Sequence, residues 1–274
     1  MATRPRTSSI STIFFDLDNT LIPTRKADKL ACNKLSEILR EKCAMPSETA
    51  TSICNSFLRA FRKCPDNPSM DLDTWRHLLW TQALGDQYRN LAGEIYRKWL
   101  HLRYAYLALT PEIKVLLNRL HENYLLGLIT NGPSNAQWEK INRLDVQHYF
   151  DVTLVSGDLP WEKPHSRIFH EACQYLGVEP HQCIMVGDKL ETDILGGIQA
   201  KLGGTVWVPL SNAELDVNDP QPDFIIQDVT NLPGLLPNSP KVPVFRRKID
   251  FKVYKGLVSL PDLDDCNSNS SDGS

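Results

Sequence analysis

The stretch FFDLDNT, Phe14 to Thr20, sets two carboxylates, Asp16 and Asp18, two residues apart at the end of an apolar run. In an extended chain such a pair projects to one side, because side chains alternate with period two. Two carboxylates that close repel one another unless a cation lies between them or one keeps its proton. Other apolar runs also end in polar residues: LLGLI is followed by Thr130 and Asn131, IMVG by Asp188, and VTLVSG by a loop carrying Glu162, Lys163 and Pro164. Asp188 adds a third oxygen donor. Hard oxygen ligands with no histidine or cysteine beside them suit Mg2+, which keeps several waters and takes phosphate oxygens from a substrate. Thr130, Asn131 and Lys163 supply a hydroxyl, an amide and a fixed positive charge, the groups an anionic substrate needs. At about 4 Å and an effective dielectric of about 20, one lysine-to-phosphate charge pair is worth on the order of 4 kcal/mol before desolvation. Pro164 biases Lys163 towards an extended backbone that aims its side chain.

Regular elements must bring these residues together. Ser11 to Phe15 is a β-branched and aromatic run with the signature of a strand. From about Ala27 to Leu107 the apolar residues recur at helical spacing: Leu35, Ile38 and Leu39; Ile53, Phe57 and Phe61; Trp75, Leu78 and Leu79; Leu91, Ile95 and Leu102. That pattern predicts four helices and no strand. Thr110-Pro111 then forms an N-cap and first helical position, and the pattern changes. A helix over 111–123 leads to LLGLIT, one over 134–144 to VTLVSG, one over 166–176 to CIMVGD, and one over 193–201 to TVWVPL. Alternating helices and buried strands imply an α/β fold, a Rossmann-like parallel sheet with helices on both faces. Ligands of such sheets bind beyond the carboxyl ends of the strands, where the polar residues above fall. The expected organisation is an α/β core of residues 8–24 and 108–237, a helical insertion over 25–107, and a flexible tail over 238–274. The tail ends in DLDDCNSNSSDGS, which lacks the apolar surface to offset ordering entropy.

Composition limits the function classes. The 274 residues are 42% hydrophobic, sufficient for a core that needs no disulfide support. A formal net charge of −3 gives no broad attraction for nucleic acid or anionic lipid. Seven cysteines, an odd number without a C-x-x-C pair, suggest neither a disulfide framework nor a zinc site and fit a reducing compartment. MATRPRTSSIS lacks the apolar run of a secretory signal, and no stretch approaches the roughly 20 apolar residues of a membrane span. A cytoplasmic, soluble monomer is expected, with no nucleic-acid or membrane partner.

In order, DLDNT, ITNG, EKP and GDKLETD resemble the four motifs of the haloacid dehalogenase superfamily, whose members are mostly magnesium-dependent phosphatases on a Rossmann-like core. The helical insertion sits where that superfamily carries its C1-type cap. SRIF, LGVEP and TVW extend the likeness to about half of the chain. The resemblance implies that Asp16 is the nucleophile, forming a phosphoaspartyl intermediate, and that Asp18 is the general acid and base. It implies that Leu17, Asp18, Thr130, Asn131 and Lys163 hold the phosphoryl group. Asp16, the backbone carbonyl of Asp18, and Asp188 would bind Mg2+, with Asp193 in support. Pro23 and Lys189 depart from the pattern, which leads one to expect aspartate and threonine there. The substrate so implied is a small phosphorylated metabolite, a sugar phosphate first and a nucleotide as the alternative. A catalytically silent binding protein on the same fold and a phosphomutase are the remaining readings. A dehalogenase fits less well, because a halide leaves without the proton that Asp18 provides.

Several features have simpler readings. Gly196-Gly197 and Gly203-Gly204 match no phosphate-binding motif and point to close packing. Trp75, Trp80 and Trp99 are expected in the core of the insertion. Thr192 and Asp193 suit the first turn of a helix. Arg246-Arg247-Lys248 is expected to be a solvated basic segment.

Overall fold

The computed structural model describes residues 10–210 and 213–236. Its sheet has six parallel strands: β1 (Thr12–Phe15), β2 (Leu125–Thr130), β3 (Val152–Val155), β4 (Cys183–Gly187), β5 (Gly204–Trp207) and β6 (Phe224–Ile225), in the order β3-β2-β1-β4-β5-β6. Every residue of β1 to β5 is buried, as strands covered on both faces must be. Alternation sorts their side chains between two apolar clusters. Ile13, Phe15, Leu126, Leu128, Ile184 and Val186 enter one; Phe14, Leu125, Ile129 and Met185 enter the other. Gly127 leaves room between strands, since a Cβ there would stand 2.6 Å from the Phe14 ring.

The helices are α1 (Thr24–Cys43), α2 (Ser47–Lys63), α3 (Leu72–Tyr88), α4 (Ala92–Leu107), α5 (Pro111–His121), α6 (Ser134–Arg143), α7 (Ser166–Leu176) and α8 (Leu195–Gln199). The first four share an apolar cluster of their own, built around Phe57 stacked on Trp80 at 3.8 Å with Trp99 edge-on. Trp80 and Trp99 are core residues as expected, while Trp75 is half-buried and donates to the Cys64 carbonyl. Two buried arginines were not anticipated. Arg103 pairs with Asp28 at 2.7 Å inside the insertion, and Arg76 crosses to Glu139 of α6 at 2.5 Å.

Most elements fall where periodicity places them, with two differences. Strand β6 has two residues, too few to carry a pattern. The helix expected over 193–201 is the shorter α8, entered through a π-helical turn, Leu190–Ile194, that the pattern does not show. Gly196 and Gly203 are packing positions: a Cβ would meet Phe169 at 2.6 Å in the first case and the His181 carbonyl at 2.2 Å in the second. Among the described residues no helix is long and apolar enough to cross a membrane, and the six described cysteines are all free thiols. The expected tail over 238–274, with its basic segment Arg246-Arg247-Lys248, lies outside the described residues.

Candidate active site

Strand β1 lies between β2 and β4, with Phe15 in register with Leu128 and Val186. Beyond Phe15 the chain therefore emerges at the point where strand order diverges, the ligand-binding crevice of open α/β sheets. Asp16 is the first residue out. Its N–H continues the ladder by donating to the Val186 carbonyl at 3.0 Å, and its side chain is 9% exposed. From the loop after β3, Lys163 reaches back with Nζ 2.6 Å from Asp16 Oδ1, 2.8 Å from Asp193 Oδ1 and 2.7 Å from the Ile129 carbonyl. Three acceptors satisfy its three ammonium protons, which is why a lysine can be buried here.

Asp188 follows β4, with its backbone carbonyl accepting from Trp207 Nε1 at 2.9 Å. Its two carboxylate oxygens are buried and have no hydrogen-bond partner. One oxygen each from Asp16, Asp188 and Asp193 lie within 4.8 Å of one another, a group able to hold a metal ion. Burial, with the neighbouring carboxylates, pushes Asp16 up to about 7 against the pull of Lys163, and burial and Asp193 push Asp188 up to about 6. A buried, partnerless carboxylate beside two others is the donor set a divalent cation satisfies, and an all-oxygen set fits Mg2+. Asp193 is engaged differently: besides Lys163 it accepts from the Lys189 N–H at 3.0 Å, bracing the turn after β4. Gly187 makes this possible, because a Cβ there would lie 2.2 Å from the Asp193 carboxylate.

Asp18 does not simply lie alongside Asp16. Strand β1 has ended, Asn19 adopts a positive φ of 67°, and the chain folds so that Asp18 bridges to Ile22. Strand alternation therefore stops applying, and the two carboxylates take separate partners. Asp18 accepts from Lys140 Nζ at 2.6 and 2.5 Å, from Gln137 Nε2 at 3.0 Å and from Thr24 Oγ1 at 2.5 Å. Burial would raise it, but Lys140 and these donors win and hold it well below the usual carboxylate range. Lys140, Gln137 and Thr24 are site residues that motif reading missed. The available signal was a polar pair three residues apart on α6, Gln137 and Lys140, which helical geometry puts on one face.

The remaining expected residues are distributed as follows. Thr130 is fully buried at the end of β2, with a hydroxyl that lacks a partner. Both ends of the Asn131 side chain hold the Lys163 backbone: Nδ2 donates to its carbonyl at 2.8 Å and Oδ1 accepts from its N–H at 2.9 Å. The Asn131 side chain thus fixes the loop carrying Lys163 and leaves one Nδ2 proton over. The Leu17 side chain is buried in the core, leaving only its backbone for a ligand. Pro23 precedes α1, and Lys189 is exposed beside Asp188. A cavity of ≈ 730 Å³ opens between the start of α3 and α6, lined by Asp71, Asp73, Trp138, Glu139 and Asp158, and none of the acidic cluster lines it.

A parallel sheet in this order, with an acidic cluster and a buried lysine at its switch point, defines the class. Residues 10–201 match the model of the family described as haloacid dehalogenase-like hydrolase. The chain belongs to that family and, with its relatives, to the phosphatases, the phosphoric monoester hydrolases within it. It is 36% identical over 235 residues to the N-acylneuraminate-9-phosphatase of Rattus norvegicus, spanning 84% of this chain and 94% of the relative, and 37% identical to that of Homo sapiens over the same length. A glyceraldehyde 3-phosphate phosphatase of Pyrococcus furiosus is 33% identical, over 83% of this chain and 92% of its own. Among solved structures, a 2-haloacid dehalogenase from Pseudomonas syringae superposes with a TM-score of 0.54 at 26% identity, covering 82% of this chain and 97% of the other. The HAD-hydrolase YfnB of Bacillus subtilis, crystallised bound to magnesium, does so with a TM-score of 0.55 at 21% identity, covering 83% and 98%.

Proposed function

We propose that this phosphatase uses Mg2+ and a phosphoaspartyl intermediate on Asp16 to hydrolyse N-acylneuraminate 9-phosphate, releasing N-acylneuraminate and phosphate in the cytoplasm. The observation that carries the reading is the pairing of Asp16 with Lys163 at 2.6 Å beside an Asp188 whose two buried oxygens have no partner. A nucleophilic carboxylate must be ionised and must approach a phosphate that is itself anionic. Lys163 offsets part of that repulsion. Asp16, Asp188 and the backbone carbonyl of Asp18 would hold a divalent cation, which would supply the further positive charge needed to keep Asp16 ionised and to screen it from the phosphoryl oxygens.

The side chains then have separate tasks. Asp16 attacks phosphorus, and a covalent carboxylate step divides one hard displacement into two easier ones. Asp18, which Lys140 keeps ionised in the free protein, takes up a proton as the anionic ester enters beside it, gives it to the ester oxygen as the P–O bond breaks, and then takes one from the water that attacks the phosphoaspartate. Thr130 offers its unpartnered hydroxyl to the phosphoryl group, while Asn131 and Asp193 keep Lys163 in place. Helices α1 to α4, with residues 25–107, serve as a cap that covers the sugar and excludes bulk water.

The substrate assignment is supported by the identity to N-acylneuraminate-9-phosphatases across nearly their whole length, which spans the insertion as well as the core. The test is kcat/KM with Mg2+ across a panel of N-acylneuraminate 9-phosphate, glyceraldehyde 3-phosphate, hexose phosphates and nucleoside monophosphates. N-Acylneuraminate 9-phosphate is expected to lead by at least about 10-fold, a difference of about 1.4 kcal/mol in transition-state binding. Preference for another ester would reassign the substrate and leave the chemistry standing.

A further inference from the structure

Lysine 140 is absent from the motifs, yet it is the strongest contact Asp18 makes. Its side chain is 7% exposed, and its ammonium lies 2.6 and 2.5 Å from the two Asp18 oxygens. Gln137, one turn earlier on the same face of α6, donates at 3.0 Å to Asp18 and at 2.7 Å to the Asn131 carbonyl. Thr24, at the start of α1, closes the third side. Asp18 itself stands on a turn beyond the strand, with its side chain 21% exposed, so the backbone alone does not restrict its rotamer. Donors from two helices fix what the turn leaves free.

Helix α6 is itself anchored. Glu139 pairs with Arg76 of α3 at 2.5 Å, and Trp138 Nε1 donates to Asp158 at 2.6 Å. Four consecutive residues, Gln137 to Lys140, thus bind the insertion, the loop after β3 and Asp18.

We propose that Lys140, assisted by Gln137, is the positioning residue of Asp18, holding its carboxyl at the place from which it serves the leaving-group oxygen. The inference rests on the reading of Asp18 as proton donor. In that step Asp18, ionised beside Lys140 in the free protein, first takes up a proton as the anionic ester enters next to it. The Asp16 oxygen then bonds to phosphorus, the bond from phosphorus to the ester oxygen breaks, and that proton passes from Asp18 to the ester oxygen. An alkoxide needs the proton, whereas a dinitrophenolate leaves without it. Loss of positioning therefore slows alkyl esters selectively, while simple damage to the scaffold slows all esters alike.

The experiment measures kcat/KM, which reports events through departure of the leaving group, for a sugar phosphate and for 2,4-dinitrophenyl phosphate. The proteins are wild type, Asp18→Asn, Lys140→Met, Lys140→Arg and Gln137→Leu, with thermal unfolding followed for each. Lys140→Met is expected to lose about 100-fold on the sugar phosphate, the scale of a misplacement of about 1 Å, and less than about 5-fold on the dinitrophenyl ester. Lys140→Arg is expected to recover most of the alkyl activity. Gln137→Leu, which changes no charge, should show the same selectivity at smaller size and carries the test if Lys140→Met unfolds. Equal losses on both esters, or no loss on either, overturn the role of Lys140. If Asp18→Asn itself treats the two esters alike, the proton-donor reading falls and the inference with it. If Asp18→Asn discriminates and the Lys140 and Gln137 variants do not, the inference alone falls.

Discussion

Asp16 and Asp18 are two residues apart and chemically identical, yet the fold gives them opposite surroundings. Asp16 lies among Asp188, Asp193 and one shared lysine, so burial leaves its carboxyl raised to about 7. Asp18 faces Lys140, Gln137 and Thr24, which hold it far below its ordinary value. The first side is short of positive charge and the second is well supplied with it. Like groups pushed apart by environment mark divided roles, but the free protein holds this pair the reverse of the working state. A cation must draw Asp16 down, and the anionic ester must draw Asp18 up, before nucleophile and acid carry the right charges. Here the deficit on the Asp16 side is what a divalent cation and a lysine would fill around a nucleophile. The Asp18 side is complete within the protein.

The comparison can be broken most severely at Asp16. Asp16→Asn is expected to reduce phosphate release by about 10⁴-fold or more while the protein still folds, measured by steady-state turnover and circular dichroism. Normal turnover would remove the nucleophile from this side of the site. Asp18→Asn comes next, with a loss of about 10²–10⁴-fold on alkyl phosphates, the range of general acid–base catalysis. A variant as active as wild type on a sugar phosphate would mean that the two sides do not differ in role.

Lys163→Met attacks the one cation shared by Asp16 and Asp193. Removing it strands two buried carboxylates, and urea unfolding should show a destabilisation of about 3–5 kcal/mol without Mg2+. A change under about 1 kcal/mol would show that these carboxylates reach solvent or take up protons at little cost.

The smallest expected effect is on pH dependence. Asp16 and Asp188 bind their protons more tightly in the folded state than at their ordinary value of 3.8, reaching about 7 and about 6. Their contribution to stability is present in full below that ordinary value and is lost as pH rises through 6 to 7. Asp18 runs the other way: its contribution is present above its ordinary value and lost as pH falls below it. The Tm of metal-free protein should therefore fall by a few degrees between pH 5 and pH 8. Mg2+ should restore most of the loss at pH 8, and Asp188→Asn should shrink both the fall and the rescue. A metal-free Tm that is flat over this interval and indifferent to Mg2+ would contradict the charge deficit assigned to the Asp16 side.

Much of the architecture was legible in residue patterns. The runs IFF, LLGLI and IMVG fixed β1, β2 and β4, and the polar residues that end them fell at one edge of the sheet because parallel strands share a direction. The four helices of the insertion followed from apolar spacing that a buried face requires. Strand β6 did not, because two residues of parallel pairing have no period. The helix expected over 193–201 is present as α8, but the π-helical turn that leads into it was not legible, since such a turn differs from an α-helix by one residue per ring and leaves the same composition.

For the site, the sequence by itself determined which groups stand at the strand ends, because strand periodicity and the direction of a parallel sheet are local properties. Only the tertiary structure decided their partners. Asp18 meets a lysine 122 residues away and Arg76 meets Glu139 across 63, contacts that depend on how helices rotate and pack against the sheet. Asn131 also braces the Lys163 backbone, a contact its spacing does not show, and Asp18 leaves the line of Asp16 because the strand ends at Phe15. Residue type limits what a side chain can do; the neighbours that fix its charge and direction come from distant parts of the chain, and no local spacing encodes them.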